Sequence, residues 1–177
     1  MNKFTTSLTL ISALFIAGTT QAAQVNFTGT VTSQTCEFTG FEGDSLNVPL
    51  PPVSQGALLA IGNVAGQTNF HINLTACTTN DDVYIKFGEA NADSAFAGTL
   101  KNTETTDAAT NVNIQLVKVL TSGNQVVNLL SQTDTDKKTV QSNSTDLTFN
   151  YIAQYYATGA AKAGLVASNA TMEITYP

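Results

Sequence analysis

The sequence predicts an all-β sandwich, and three observations carry that expectation. Apolar residues recur at every second position in several separate stretches, which is the period of an extended strand with one buried face. Clusters of Gly, Pro, Asn and Asp divide these stretches, and no stretch has a convincing helical period. Charged residues make up only 11% of the chain while Thr, Asn, Ser and Gln abound, a composition suited to a neutral sheet surface. Short strands punctuated by turns, without helices between them, favour two packed sheets. No internal repeat and no domain linker interrupts the pattern.

The chain opens on a leader. Lys3 supplies a positive charge, residues 4–17 are mostly apolar, and Thr20-Gln21-Ala22 places small residues where a signal peptidase reads them. The apolar run is shorter than the roughly 20 residues a membrane-spanning helix needs. Residues 1–22 are therefore expected to be a signal peptide, with the neighbouring bond as an alternative cleavage point. The remaining 155 residues suit one domain.

The next stretch, residues 24–35, alternates Val25, Phe27, Gly29 and Val31 with Asn26, Thr28, Thr30 and Thr32. It reads as a strand. No turn signal follows to fold it onto a near neighbour, so it lacks a local partner. Gly29 stands on the apolar face with nothing to bury, which marks close approach of another surface. Two cysteines follow, Cys36 and Cys77. In an exported chain such a pair is expected to form a disulfide, and one histidine supplies too few further ligands for a zinc site.

Residues 37–44 are rich in turn formers. Residues 45–50 alternate, but Pro49, Pro51 and Pro52 confine them to an edge or a loop. Gly62 and Gly66 are expected to punctuate a loop. Residues 69–77 place Phe70, Ile72, Leu74 and Ala76 on one face of a strand and His71 on the other. Asp81-Asp82 reads as a turn before a strand at 83–87. Residues 89–110 are expected to hold a short strand at 96–101 and then a mobile loop. In residues 111–120 the apolar parity changes from Val112, Ile114 and Leu116 to Val117 and Val119, which predicts a β-bulge. Ser122-Gly123-Asn124 is the expected turn, with residues 125–130 returning as the partner strand. Residues 134–138 form a charged loop. Residues 145–156 alternate through Leu147, Phe149, Tyr151, Ala153 and Tyr155. Residues 159–164 read as a small-residue loop, and the last stretch carries Met172, Ile174 and Tyr176 on one face.

Several function classes recede on this evidence. Beyond the leader, six lysines and no arginine stand against thirteen acidic residues, a net charge of −7. That balance disfavours nucleic acid and anionic membranes as partners. One histidine, no arginine and no nucleophile motif disfavour a hydrolase, although spacing alone leaves a carboxylate pair open. No cofactor or metal set is evident.

The two ends then read together. Tyr155-Tyr156-Ala157-Thr158-Gly159, Gly164 and Met172-Glu173-Ile174-Thr175-Tyr176 resemble the C-terminus of chaperone–usher pilins, in which a glycine stands about a dozen residues before a penultimate tyrosine. Pro177 departs from that pattern, since a polar residue is common there. Leu100-Lys101-Asn102 with residues 108–116 resembles the family's middle motif. Phe27-Thr28-Gly29-Thr30-Val31 before Cys36 resembles its N-terminal extension. The resemblance spans the chain beyond the leader and is that of a type 1-like fimbrial shaft subunit.

What the resemblance implies is an immunoglobulin-like sandwich lacking its final strand. It implies three segments: the signal peptide 1–22, a donor-strand extension 23–35 and a pilin domain 36–177. A periplasmic chaperone would lend a strand, and the extension of a neighbouring copy or related pilin would replace it at an outer-membrane usher. This exchange is a known mode of strand addition. The expected donor residues are Val25, Phe27, Gly29 and Val31, with Gly29 meeting a shallow place in the groove. Gly164, Met172, Ile174 and Tyr176 are expected at the groove and the chaperone strand. The chain would be exported through the periplasm to a surface fimbria used in cell adhesion. A minor adaptor or tip subunit is an alternative, and a secreted carbohydrate-binding sandwich a weaker one.

Overall fold

The computed structural model describes residues 36–132 and 137–176. The leader, the 24–35 stretch with Val25, Phe27, Gly29 and Val31, the centre of the 134–138 loop and Pro177 lie outside the described residues.

Among the described residues, nine strands form two sheets. They are β1 (Glu37–Thr39), β2 (Val64–Thr75), β3 (Asp82–Phe87), β4 (Thr99–Lys101), β5 (Thr110–Leu120), β6 (Gly123–Val126), β7 (Lys138–Thr139), β8 (Leu147–Lys162) and β9 (Met172–Thr175). One 3-10 turn, Gln55–Leu58, is capped by the Ser54 side chain. The larger sheet runs β1-β2-β8-β5-β4, with β6 also on β5, and the smaller runs β7-β3-β9. Every pairing between these strands is antiparallel.

Strand β8 is central because both its neighbours are long. It pairs β2 from Phe70↔Tyr151 through Leu74↔Leu147 and β5 from Val112↔Ala157 through Lys118↔Tyr151. Its inward residues Phe149, Tyr151 and Ala153 meet Ile72, Leu74 and Leu116 of the same sheet and Val83, Ile85 and Phe87 of the facing one. The Phe87 ring stands edge-on to Tyr151 at 5.2 Å, and Phe70 stacks on it at 5.5 Å. Alternation of apolar side chains thus gives each strand one face for a shared core. A smaller cluster of Leu58, Ala109, Val112, Ala157 and Ala161 closes one end.

Several local expectations are corrected. Gly66 is not in a loop but inside β2, at a register shift between Ala65 and Thr68. It has a φ of +64°, and a Cβ there would sit 2.8 Å from the Tyr155 ring, so backbone sign and space both require glycine. Ala76 does not continue the buried face; β2 stops at Thr75 and Ala76 turns left-handed at φ +55°. Phe96 precedes β4, which starts at Thr99. The bulge expected in mid β5 lies instead at its start, between Thr110 and Val112, where Asn111 has φ +60°. Pairing with β8 is unbroken across Leu116 and Val117. The change of parity has another cause: Asn113, Gln115 and Val117 are buried on the second face of β5. The hairpin turns at residues 121–122, and β6 ends at Val126. Residues 159–162, expected in a loop, extend β8 to Lys162.

Cys36 and Cys77 form the disulfide, joining the chain just before β1 to the end of β2 across 41 residues. Closing a loop of that length stabilises a fold by about 4 kcal/mol in the chain-entropy model. The double change Cys36→Ser with Cys77→Ser is expected to remove most of that, read as a lower denaturant midpoint and a lower yield of folded protein. The intact mass of the parent should be two hydrogens below that of its reduced form.

Candidate functional site

A groove of about 950 Å³ lies between residues 38–50 and residues 166–172. Its floor is apolar. Phe70 of β2, Phe87 of β3, Leu100 of β4, Ile114 and Leu116 of β5, and Ala153 and Tyr155 of β8 line it. Burial pushes the Tyr155 phenol above its usual pKa, which fits a ring set in an apolar floor.

The first wall is the proline-flanked stretch. Leu46, Val48 and Leu50 are half-buried and pack toward the core, while Asn47 and Pro49 are exposed. Alternation is therefore real, yet residues 46–53 make no main-chain hydrogen bond to another main-chain group among the described residues. Pro49, Pro51 and Pro52 lack the N–H that a sheet neighbour needs, so this wall stays extended without a strand partner among the described residues.

The second wall leads into β9. Val166, Ser168, Ala170 and Met172 alternate as half-buried positions with exposed 167, 169 and 171. The odd residues are tied from behind. Thr103 N–H donates to Ala167 O at 2.8 Å, and Gly88 N–H to Thr171 O at 2.8 Å. Ala167 N–H donates to Asn102 Oδ1 at 3.0 Å, and Asn91 Nδ2 donates to Asn169 O at 2.9 Å. Asn102 also donates to Ala109 O at 3.0 Å and Leu165 O at 2.9 Å. The N–H and C=O of one residue in an extended chain point to the same side. The amides and carbonyls of Val166, Ser168 and Ala170 therefore face the groove, and they make no main-chain hydrogen bond among the described residues. Both walls border the same groove, and neither pairs across it with another strand among the described residues.

The expected C-terminal residues fall at different places around this lane. Met172 lines the groove. Ile174 pairs opposite Ile85 and packs on the core behind it. Tyr176 is half-buried, and its hydroxyl accepts from Cys36 N–H at 3.1 Å, tying the end of the chain to the disulfide. Gly164 is not a groove residue. A Cβ there would meet Asp107 O and Ala108 C at 2.5 Å, and Ala109 N closer still; glycine lets this turn press on the 107–109 chain. Reasoning from sequence missed the tethering roles of Asn91 and Asn102. Their signal is an isolated asparagine in a polar loop, which is too common to single out.

Polar chemistry elsewhere is structural. His71 is exposed and shares a hydrogen bond with Asn150 at 3.1 Å. The Lys137 ammonium, then the Thr139 hydroxyl, hydrogen-bond Asp82 and lower its pKa. Among the described residues no cluster of His, Cys, Asp or Glu is placed to hold a metal ion.

A two-sheet, disulfide-stapled sandwich with an unpaired lane between strand edges defines an immunoglobulin-like domain of the pilin class. The chain belongs to the fimbrial protein family, whose model matches residues 25–177. The major fimbrial subunit SMF-1 of Stenotrophomonas maltophilia is 37% identical, with 94% of this chain and 99% of that protein covered. The F17 fimbrial protein of Escherichia coli is also 37% identical, over 86% of each chain. The fold is similar to that of the P pilus rod subunit PapA, with a TM-score of 0.60, 16% identity, and 80% and 99% of the two chains covered. A subunit of a chaperone–usher pilus gives a TM-score of 0.59 at 18% identity, with 94% and 100% covered. The resemblance drawn from the terminal and middle motifs is thereby borne out.

Asn102→Ala removes the side chain that holds residues 165 and 167 against 102 and 109. It is expected to destabilise the domain by about 2 kcal/mol, a few hydrogen bonds' worth, and to speed hydrogen exchange at the Ala167 amide more than at β8 amides. Unchanged exchange at Ala167 would show that the wall is held without Asn102.

Proposed function

We propose that this chain is a shaft subunit of a chaperone–usher fimbria, and that its groove receives residues 24–35 of a neighbouring copy. The observation that carries the reading is the lane itself. Two strand edges, each with its main-chain groups unspent on the groove side, border an apolar floor. Such a lane exposed to water invites uncontrolled pairing. The same chain carries one alternating stretch without a local partner, residues 24–35, whose apolar positions are Val25, Phe27, Gly29 and Val31.

A strand laid in the lane pairs with the second wall, whose amides and carbonyls face it, and covers the apolar floor against the first wall. Because donor and groove are different surfaces, the contact is head-to-tail and generates a filament. Before assembly a periplasmic chaperone covers the lane, and an outer-membrane usher is the site of exchange. Export through the periplasm follows from the leader. In this reading residues 23–35 are the extension and 36–177 the pilin domain, with Met172 at the groove and Ile174 and Tyr176 on the strand the chaperone meets. The relatives named major fimbrial subunits support the shaft over an adaptor.

Deleting residues 23–33 is expected to leave the chaperone complex intact and to abolish polymer. Normal fibres from that deletion would refute the donor assignment. Antibody against this chain should decorate fibres along their length in electron micrographs; decoration confined to the tip would make it an adaptor.

A further inference from the structure

The second wall of the groove carries one residue that does not belong to an apolar lane. Its inward series reads Val166, Ser168, Ala170, Met172, and in this series Ser168 alone is polar. The Ser168 hydroxyl oxygen is closed to solvent and has no hydrogen-bond partner among the described residues. An unsatisfied buried hydroxyl typically costs about 1–3 kcal/mol, and native folds rarely leave one without a reason. Behind the wall, Asn91, Asn102 and Thr103 each hold one of its carbonyls or that of Leu165. Thr175 on β9 carries the other such hydroxyl among the described residues, and of the two only Ser168 lines the groove.

We propose that Ser168 is a specificity-determining residue of the groove, whose hydroxyl bonds the main chain of the incoming segment at Gly29. This rests on the donor reading above. The donor's inward residues are Val25, Phe27, Gly29 and Val31, none of which has a polar side-chain atom. The partner of an inward hydroxyl must then be main chain. Side chains shield the main chain at Val25, Phe27 and Val31, and only Gly29 leaves it bare. Rotation about one bond turns the Ser168 oxygen toward that strand. The pairing also fixes the register, with Gly29 opposite Ser168. It gives the donor glycine a role in hydrogen bonding rather than in flexibility alone.

The test is a double-mutant cycle on the subunit purified with its chaperone. Synthetic peptides of residues 23–35 carry either glycine or alanine at position 29, and the subunit is wild type, Ser168→Ala or Ser168→Cys. The readout is the melting midpoint of each subunit–peptide complex, with the chaperone complex of each variant as the control for folding. With the glycine peptide, Ser168→Ala is expected to lower the midpoint by about 2–5 °C, the effect of one lost hydrogen bond in a domain of this size. Ser168→Cys, which keeps the volume but bonds weakly, should behave likewise. With the alanine peptide the serine variants should differ little from wild type, because the added methyl already shields the main chain. A midpoint that stays level or rises in Ser168→Ala with the glycine peptide would overturn the proposal, since a purely apolar lane gains from losing a hydroxyl. Equal losses with both peptides would overturn the assignment to Gly29. Failure of the unmodified peptide to displace the chaperone from the wild-type subunit is a separate result, and it would overturn the donor reading together with this one.

Discussion

The rest of the structure depends on a lane between two strand edges that the chain cannot fill from within its described domain. Sheets normally hide such edges or blunt them with charge, proline or a covering loop. Here proline is used on one wall only, at positions 49, 51 and 52, where it prevents pairing without making the wall polar. The other wall keeps its full set of amides and is satisfied from behind by Asn91, Thr103, Asn102 and Gly88. Bonding from behind leaves the front free. An edge that serves as an interface needs this arrangement, because the wall must stay straight whether or not the lane is filled.

The outer face of the larger sheet solves a different problem. It carries few charges, yet its polar residues are bonded across strands. Thr148 donates to Asn73 at 2.9 Å, His71 and Asn150 meet at 3.1 Å, and Gln67, Gln154 and Gln115 form a chain with links of 2.9 and 2.7 Å. Asn113 continues the pattern to Thr99 at 2.8 Å and to Asp93 at 2.9 Å. Amide and hydroxyl pairs of this kind are not screened by salt as surface ion pairs are. Thr99, Asn113, Gln115 and Gln154 are buried, so these bonds hold the second face of the sheet with little dependence on ionic strength.

How much of this was legible in the sequence varies with the physics of each element. Strands with one buried face were plain, because alternation reports that face directly: β3 was found to a residue, while β2 starts five residues earlier and β8 ends six residues later than expected. Strand β5 misled because it is buried on both sides. Its outer neighbours are glutamine and asparagine, so Val117 looked like a change of parity when it was a second buried face. Residues 159–162 misled for a related reason. Small side chains there read as a loop, but Ala161 is buried in the end cluster, where little room remains. The groove's apolar floor could be read only in part. Leu46, Val48 and Leu50 alternated visibly, whereas Ile114, Phe70 and Phe87 meet in the floor through pairings that no local pattern contains. Asn102 was quoted for a motif, and its four hydrogen bonds became apparent only in space.

The lane is also fastened unevenly along its length. At one end Cys36 is bound covalently to Cys77, and its amide donates to the Tyr176 hydroxyl. The first described residue and the last therefore share one anchor, with one groove wall departing from each. At the other end Asn102 and the close approach of Gly164 to residues 107–109 pin the start of the second wall. Between these anchors the first wall has only side-chain packing to hold it. The first wall is thus fastened covalently at the disulfide end and by side-chain packing beyond it, whereas the second is hydrogen-bonded along its length. A strand entering the lane gains its main-chain bonds one residue at a time, and its cost is lowest where the walls are already set.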